Sequence, residues 1–132
     1  MNSSIDNPLL DSLGIRLVSV GAGYCTFKLD LEPRHLNRQG TLQGGVSATL
    51  LDAACGYAAL HEQDGVLGNA VTLMLTISYL ARVSAGSVLA TAEVTHAGRS
   101  IYFSSARLVT ETGELIATAQ GTFRRSQVRK ED

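Results

Sequence analysis

Residues 46–60, VSATLLDAACGYAAL, carry only four polar side-chain groups: Ser47, Thr49, Asp52 and the Tyr57 hydroxyl. The run is too long for one strand and is rich in Ala and Leu, so it reads as a helix. A helix that is apolar almost all round is buried on nearly every side. The rest of the chain must therefore wrap it, and this requirement limits the possible folds more than any other feature.

With 132 residues the chain is expected to form a single domain over 1–132, large enough for a sizeable core. A 45% hydrophobic and 17% charged composition is that of a folded protein. Eleven basic and twelve acidic residues leave a net charge of −1, so no basic field exists to hold a nucleic acid. The opening MNSSIDNPLL has no basic region and no long apolar run, so no secretory signal is expected. Every apolar stretch is interrupted well before the ~18 residues of a membrane span. A cytoplasmic protein with no membrane partner is the expectation. Cys25 and Cys55 lack metal-type spacing and read as small core residues, and no metal or cofactor is expected.

A short helix is expected over residues 5–13, with Asp6 as N-cap, Pro8 just inside and Gly14 as the stop. Strands are expected at 16–20 and 24–31 around Gly21-Ala22-Gly23, followed by a polar loop at 33–40. After the buried helix come strands at 71–80, 88–95, 101–109 and 115–123, separated by short breaks. The charged stretch 124–132 reads as a loose tail. The fold class is thus α+β: one long central helix wrapped by a curved antiparallel sheet of about six strands. One sheet cannot close around a helix and leaves edge strands, so self-association is expected, edge to edge or helix side to helix side.

Asp52 is the first candidate for chemistry. No basic residue lies three or four positions away, since Ala48, Thr49, Cys55 and Gly56 fill those places. A buried carboxylate costs several kcal/mol unless bonded or paired. Either a distant group or solvent satisfies Asp52, or it serves as nucleophile or general base in a cleft. Gly44-Gly45 opens the same helix, where N–H groups lack internal acceptors and sit at the positive end of the dipole. The pair is either a tight turn or a seat for an oxyanion. His35 and Asn37, in the preceding loop, either bond within the loop or orient a carbonyl or a water. His61 reads as a charge partner at the helix end or a surface residue, and His96 ends a strand.

Gly44 and Asp52 are eight residues apart, about 12 Å of helical rise. A nucleophile and an oxyanion donor must both come within about 3 Å of one carbonyl. A single helix cannot supply both. If the two cooperate, they come from two subunits with antiparallel helices, as a two-fold dimer with two sites provides.

The segment His35-Leu36-Asn37-Arg38-Gln39-Gly40-Thr41-Leu42-Gln43-Gly44-Gly45, followed by Leu50-Leu51-Asp52-Ala53-Ala54-Cys55-Gly56, resembles the hotdog-fold acyl-CoA thioesterases of the phenylacetic-acid-degradation (PaaI-like) type. The resemblance continues through Val71-Thr72-Leu73, Ile77-Ser78-Tyr79-Leu80, Gly86, Gly98-Arg99 and the closing 115–123. It covers nearly the whole chain. It implies that Asp52 is the catalytic carboxylate and that the Gly44 N–H polarises the thioester carbonyl. It also implies that Asn37 helps place that carbonyl or the water, and that Thr72 orients the water. His35, Gln43 and Gly45 would lie along the substrate. Tyr79 and Arg82, with His96, Gly98, Arg99 and Ser100, would contact the CoA. An acyl-CoA substrate and a homodimer, or a dimer of dimers, follow from the same resemblance.

Where the family usually has His before the two glycines, this chain has Gln43. Gln donates and accepts hydrogen bonds but cannot become a cation near neutral pH. The alternative reading it supports is a non-catalytic acyl-CoA or thioester binder on the same fold. A hotdog dehydratase fits less well, because the usual His and acidic spacing of that group is missing.

Overall fold

The computed structural model describes residues 7–60 and 68–126. Helix α1 (Pro8–Leu13) is followed by strands β1 (Arg16–Gly21) and β2 (Tyr24–Asp30) and a 3-10 turn at Pro33–His35. The long helix α2 (Gly44–Tyr57) comes next, then β3 (Asn69–Tyr79), β4 (Ser87–Ala97), β5 (Ile101–Thr110) and β6 (Leu115–Ser126). The six strands form one antiparallel sheet in the order β1-β2-β4-β5-β6-β3. The sheet wraps α2, which is the arrangement that the hotdog resemblance implies.

The inner face of the sheet carries small residues where the helix comes close: Ala90, Ala92, Ala106, Ala117 and Ala119 are all buried. At Gly121 a Cβ would lie 2.5 Å from a carbon of the buried Phe123 ring, so any larger residue would have to displace that ring. Against this face α2 buries Leu50, Leu51, Ala54 and Cys55 completely. The last carbonyls of a buried helix need donors, and the sheet supplies them. The Cys25 thiol donates to Ala54 O (3.1 Å), the Ser104 hydroxyl to Cys55 O (2.9 Å) and the Tyr102 hydroxyl to Gly56 O (2.5 Å). With its final carbonyls held by the sheet, α2 ends at Tyr57, three residues before the expected end at residue 60. Both cysteines are buried core residues, as expected.

Most strand ends shift by one or two residues from the sequence expectation, and two boundaries differ in ways that have a physical cause. The N-cap of α1 is Asn7, whose side chain accepts from Leu10 N, and residues 5–6, with the expected cap Asp6, lie outside the described residues. Strand β6 runs on to Ser126, so the loose tail does not begin at residue 124. Arg125 accounts for this: its guanidinium donates to Ala59 O (2.9 Å) and stacks 5.0 Å above the Tyr102 ring. Residues 127–132 and His61 lie outside the described residues.

Strands β1 and β3 are the two sheet edges. The β3 edge is apolar and open: Val71, Leu73, Met74 and Tyr79 are between 44% and 54% exposed. The side of α2 carrying Thr49, Asp52, Ala53 and Tyr57 is only half-buried. One chain alone therefore covers α2 on most sides but not on all.

Candidate active site

Asp52 sits on the half-buried side of α2, and the Thr72 hydroxyl donates to its Oδ1 at 2.8 Å. A bulge in β3 between Thr72 and Met74 breaks the pairing with β6 at that point. Bulges re-aim side chains, and this one occurs where Thr72 turns to the helix. The two residues share a cavity of about 260 Å³. Gly56, one turn beyond Asp52, leaves room there, and a Cβ at that position would meet the Phe123 ring at 3.2 Å. At the α1 side of the cavity the Asn7 amide donates to the Tyr57 hydroxyl (3.0 Å). Tyr57 and Asn7 were not anticipated from sequence; Gly56 was legible as the i+4 neighbour of Asp52.

Gly44 and Gly45 occupy the first turn of α2. On either side the main-chain N–H groups are taken: Leu42 N donates to Val83 O, Gln43 N to His35 O, and Val46 N and Ser47 N both to Gln43 O. The N–H groups of Gly44 and Gly45 have no acceptor among the described residues. The Tyr79 hydroxyl, at the far end of β3, donates to the Gly44 carbonyl at 2.7 Å.

Asn37 shapes the loop before α2. Its Oδ1 accepts from Gln39 N (2.9 Å) and Thr41 N (3.1 Å), and its amide donates to Thr41 Oγ1 (3.0 Å). The loop borders a second, open cavity of about 530 Å³ lined by Asn37, Arg38, Gln39 and Gln43. Gln43 is the N-cap of α2 but makes no side-chain cap bond, which leaves its amide facing that space.

Of the two readings for His35, the structure shows the one in which it bonds main chain rather than the one that sets it along the substrate. Its ring is wholly buried; Nδ1 accepts from Glu32 N (2.9 Å) and Nε2 donates to Leu13 O (2.7 Å). Both ring nitrogens are used by main chain, so His35 ties the loop to the end of α1 and cannot touch a substrate. His96, Gly98, Arg99 and Ser100 lie exposed in the β4–β5 hairpin, with the His96 ring 6.1 Å from that of Phe103. Arg82 is exposed beyond β3. The register puts that hairpin beside the first residues of β3, since Ile101 pairs with Arg124 and Arg124 with Val71. Arg82 follows the last residues of β3. The expected CoA-contacting segments thus stand at opposite ends of one strand.

The candidate residues divide in the same way. Asp52 and Thr72 lie by the start of β3, and Gly44, Gly45 and Tyr79 by its end. Within one chain the carboxylate and the free N–H pair are kept apart by two turns of α2. No group of three or more potential metal ligands occurs among the described residues. No helix among them is long and apolar enough to cross a membrane.

Comparisons with known proteins agree with this architecture. The Thioesterase superfamily matches residues 39–117. Human acyl-coenzyme A thioesterase 13 is 34% identical over 110 residues, covering 82% of this chain and 77% of that protein. Among solved structures, a conserved protein from Pseudomonas aeruginosa superposes with a TM-score of 0.83 at 31% identity, over 91% of this chain and 94% of that one. A variant of the phenylacetic acid degradation protein PaaI from Thermus thermophilus superposes with a TM-score of 0.78 at 27% identity, over 91% of this chain and 100% of that one. With a buried central helix, a six-stranded antiparallel wrap and a matching sequence over most of its length, this chain belongs to the thioesterase superfamily.

Proposed function

We propose that this protein is an acyl-CoA thioesterase that hydrolyses its thioester to a free acid and CoA in a site shared by two subunits. The Asp52–Thr72 hydrogen bond at the mouth of a cavity carries the reading. The hydroxyl holds Oδ1, which leaves Oδ2 to act on the carbonyl carbon directly or on an attacking water. A thioester carbonyl is electrophilic enough for a carboxylate and an oxyanion site to suffice. The Gly44 N–H of the second subunit receives the developing oxyanion, and Asn37 belongs to the same half of the site. The acyl group enters the cavity past Gly56 and Phe123.

The open apolar edge of β3 supports a dimer. Pairing β3 with a second β3 covers its exposed apolar residues and continues the sheet. With the two-fold axis near Leu75 and Thr76, Thr72 of one copy stands opposite Tyr79 of the other. Each carboxylate then meets the free N–H groups of its neighbour. The same pairing joins the two CoA-contacting segments, with Arg82 and Arg99 available to the phosphates.

The Gln43 amide in place of the family His keeps the second reading, a thioester binder without turnover. One experiment separates the two. Thiol release is measured with short, medium-chain and arylacetyl-CoAs, using the parent protein and Asp52→Asn. Turnover that falls at least ~100-fold in the variant supports the hydrolase. Binding of acyl-CoA without any turnover supports the binder.

A further inference from the structure

The Tyr79 hydroxyl donates to the Gly44 carbonyl at 2.7 Å. That carbonyl and the Gly45 N–H are the two ends of one rigid peptide unit. Two successive glycines make this the most conformationally permissive point of the helix start, so something must hold the unit still for either N–H to be a fixed donor. Tyr79 does so from the side: a Cβ on Gly44 would meet its ring and hydroxyl at 3.6–3.7 Å, ordinary contact distance. Gly45 is exposed, nothing lies within 4 Å of where its Cβ would be, and its N–H has no acceptor among the described residues. Leu42, Gln43, Val46 and Ser47 have their N–H groups satisfied, and the two left over flank the carbonyl that Tyr79 grips.

We propose that Tyr79 is a positioning residue that orients and strengthens the Gly45 N–H as a second oxyanion donor beside that of Gly44. A hydrogen bond to a peptide carbonyl draws electron density from its nitrogen and makes the N–H a better donor. Preorganised donors lower the barrier because they need not reorient as charge develops. This assignment rests on the thioesterase reading. It also differs from a role of Tyr79 in holding CoA: a CoA contact acts on KM, whereas a donor that tightens on the oxyanion acts on kcat.

The test compares the parent, Tyr79→Phe and Asp52→Asn on one acyl-CoA that the parent hydrolyses. Circular dichroism verifies that the variants fold. In parallel, the infrared carbonyl band of a 13C-carbonyl acyl-CoA is recorded bound to Asp52→Asn, with and without Tyr79→Phe. The expected result is a kcat about tenfold lower in Tyr79→Phe with KM little changed, and a carbonyl band shifted back toward its value in solution. A kcat within about twofold of the parent, a loss confined to KM, or an unmoved band overturns the role of Tyr79 while the thioesterase reading stands. Absence of turnover by the parent on every acyl-CoA overturns that reading and this inference with it.

Discussion

Thr72 and Tyr79 stand seven residues apart on β3, and they hydrogen-bond different turns of α2: Thr72 the Asp52 side chain past its middle, Tyr79 the Gly44 carbonyl at its start. The strand and the helix therefore run antiparallel, with about 20 Å of strand between the two contacts. A carbonyl cannot reach both within one chain. Antiparallel pairing of two β3 edges removes this separation, because it sets the start of one strand against the end of the other.

A shared site predicts complementation between two inactive variants. Asp52→Asn and Asn37→Ala damage different halves of each site. Mixed by joint unfolding and refolding in equal amounts, they form mixed dimers in about half of all pairings, and each mixed dimer has one intact site of two. Thiol release should recover to about a quarter of the parent rate. A mixture as inactive as its components would show that each site is built from one chain.

His35 should matter to stability rather than to substrate. His35→Ala removes two buried hydrogen bonds and strands Glu32 N–H and Leu13 C=O. The expected cost is about 3 kcal/mol in urea unfolding. KM for acyl-CoA should stay near the parent value below the melting temperature. A weakened KM with unchanged stability would return His35 to the substrate site.

Alkaline pH should destabilise the fold through its two thiols. Burial, with Cys55 nearby, pushes Cys25 from 9.0 up to about 12. Burial, with the Asp52 charge nearby, pushes Cys55 up to about 12 as well. Between those values the unfolded chain has released protons that the folded chain still holds. Stability is therefore complete below the unfolded pKa and falls as pH rises toward the folded one, by ~1.4 kcal/mol per pH unit per thiol. Urea midpoints should decline from about pH 9 to about pH 11, and Cys25→Ala should show a shallower decline. A midpoint that stays level over this range would contradict the burial argument.

Gln43→His should hold or raise kcat/KM. Gln43 faces the open cavity with Asn37 and carries no cap bond, so its replacement disturbs no packing. A histidine there adds a group that can become cationic beside the carbonyl, so a new dependence on pH below about 7 should accompany the change. A large loss would assign the amide of Gln43 a role of its own.

Most of the fold could be read from periodicity. The uninterrupted apolar run around Asp52 required a wrapped helix, and the alternation at Val71, Leu73, Leu75 and Ile77 marked β3 as a strand. Asp52, Gly44, Asn37 and Thr72 were singled out by the resemblance to the PaaI-like thioesterases. What these residues contact was not legible. The His35 bond to Glu32 is a local capping box three residues long, but its bond to Leu13, 22 residues away, has no local pattern behind it. The extension of β6 to Ser126 was hidden because Arg124 and Arg125 read as a charged tail until Arg125 is seen against Tyr102 and Ala59.

Features that depend on spacing along one element are legible in the chain before it folds. The helix, the alternating strands, the glycine pair at the helix start and the 12 Å that separates Gly44 from Asp52 follow from fixed rise and side-chain periodicity. Which side chains meet across elements emerges only once the sheet has closed over the helix. That packing gave Asp52 the Thr72 hydroxyl, closed the end of α2 with Cys25, Ser104 and Tyr102, and set Tyr79 on the Gly44 carbonyl. Such pairings depend on strand order and register. These are chosen by burial of the whole inner face at once and leave no trace at the spacing of three or four residues.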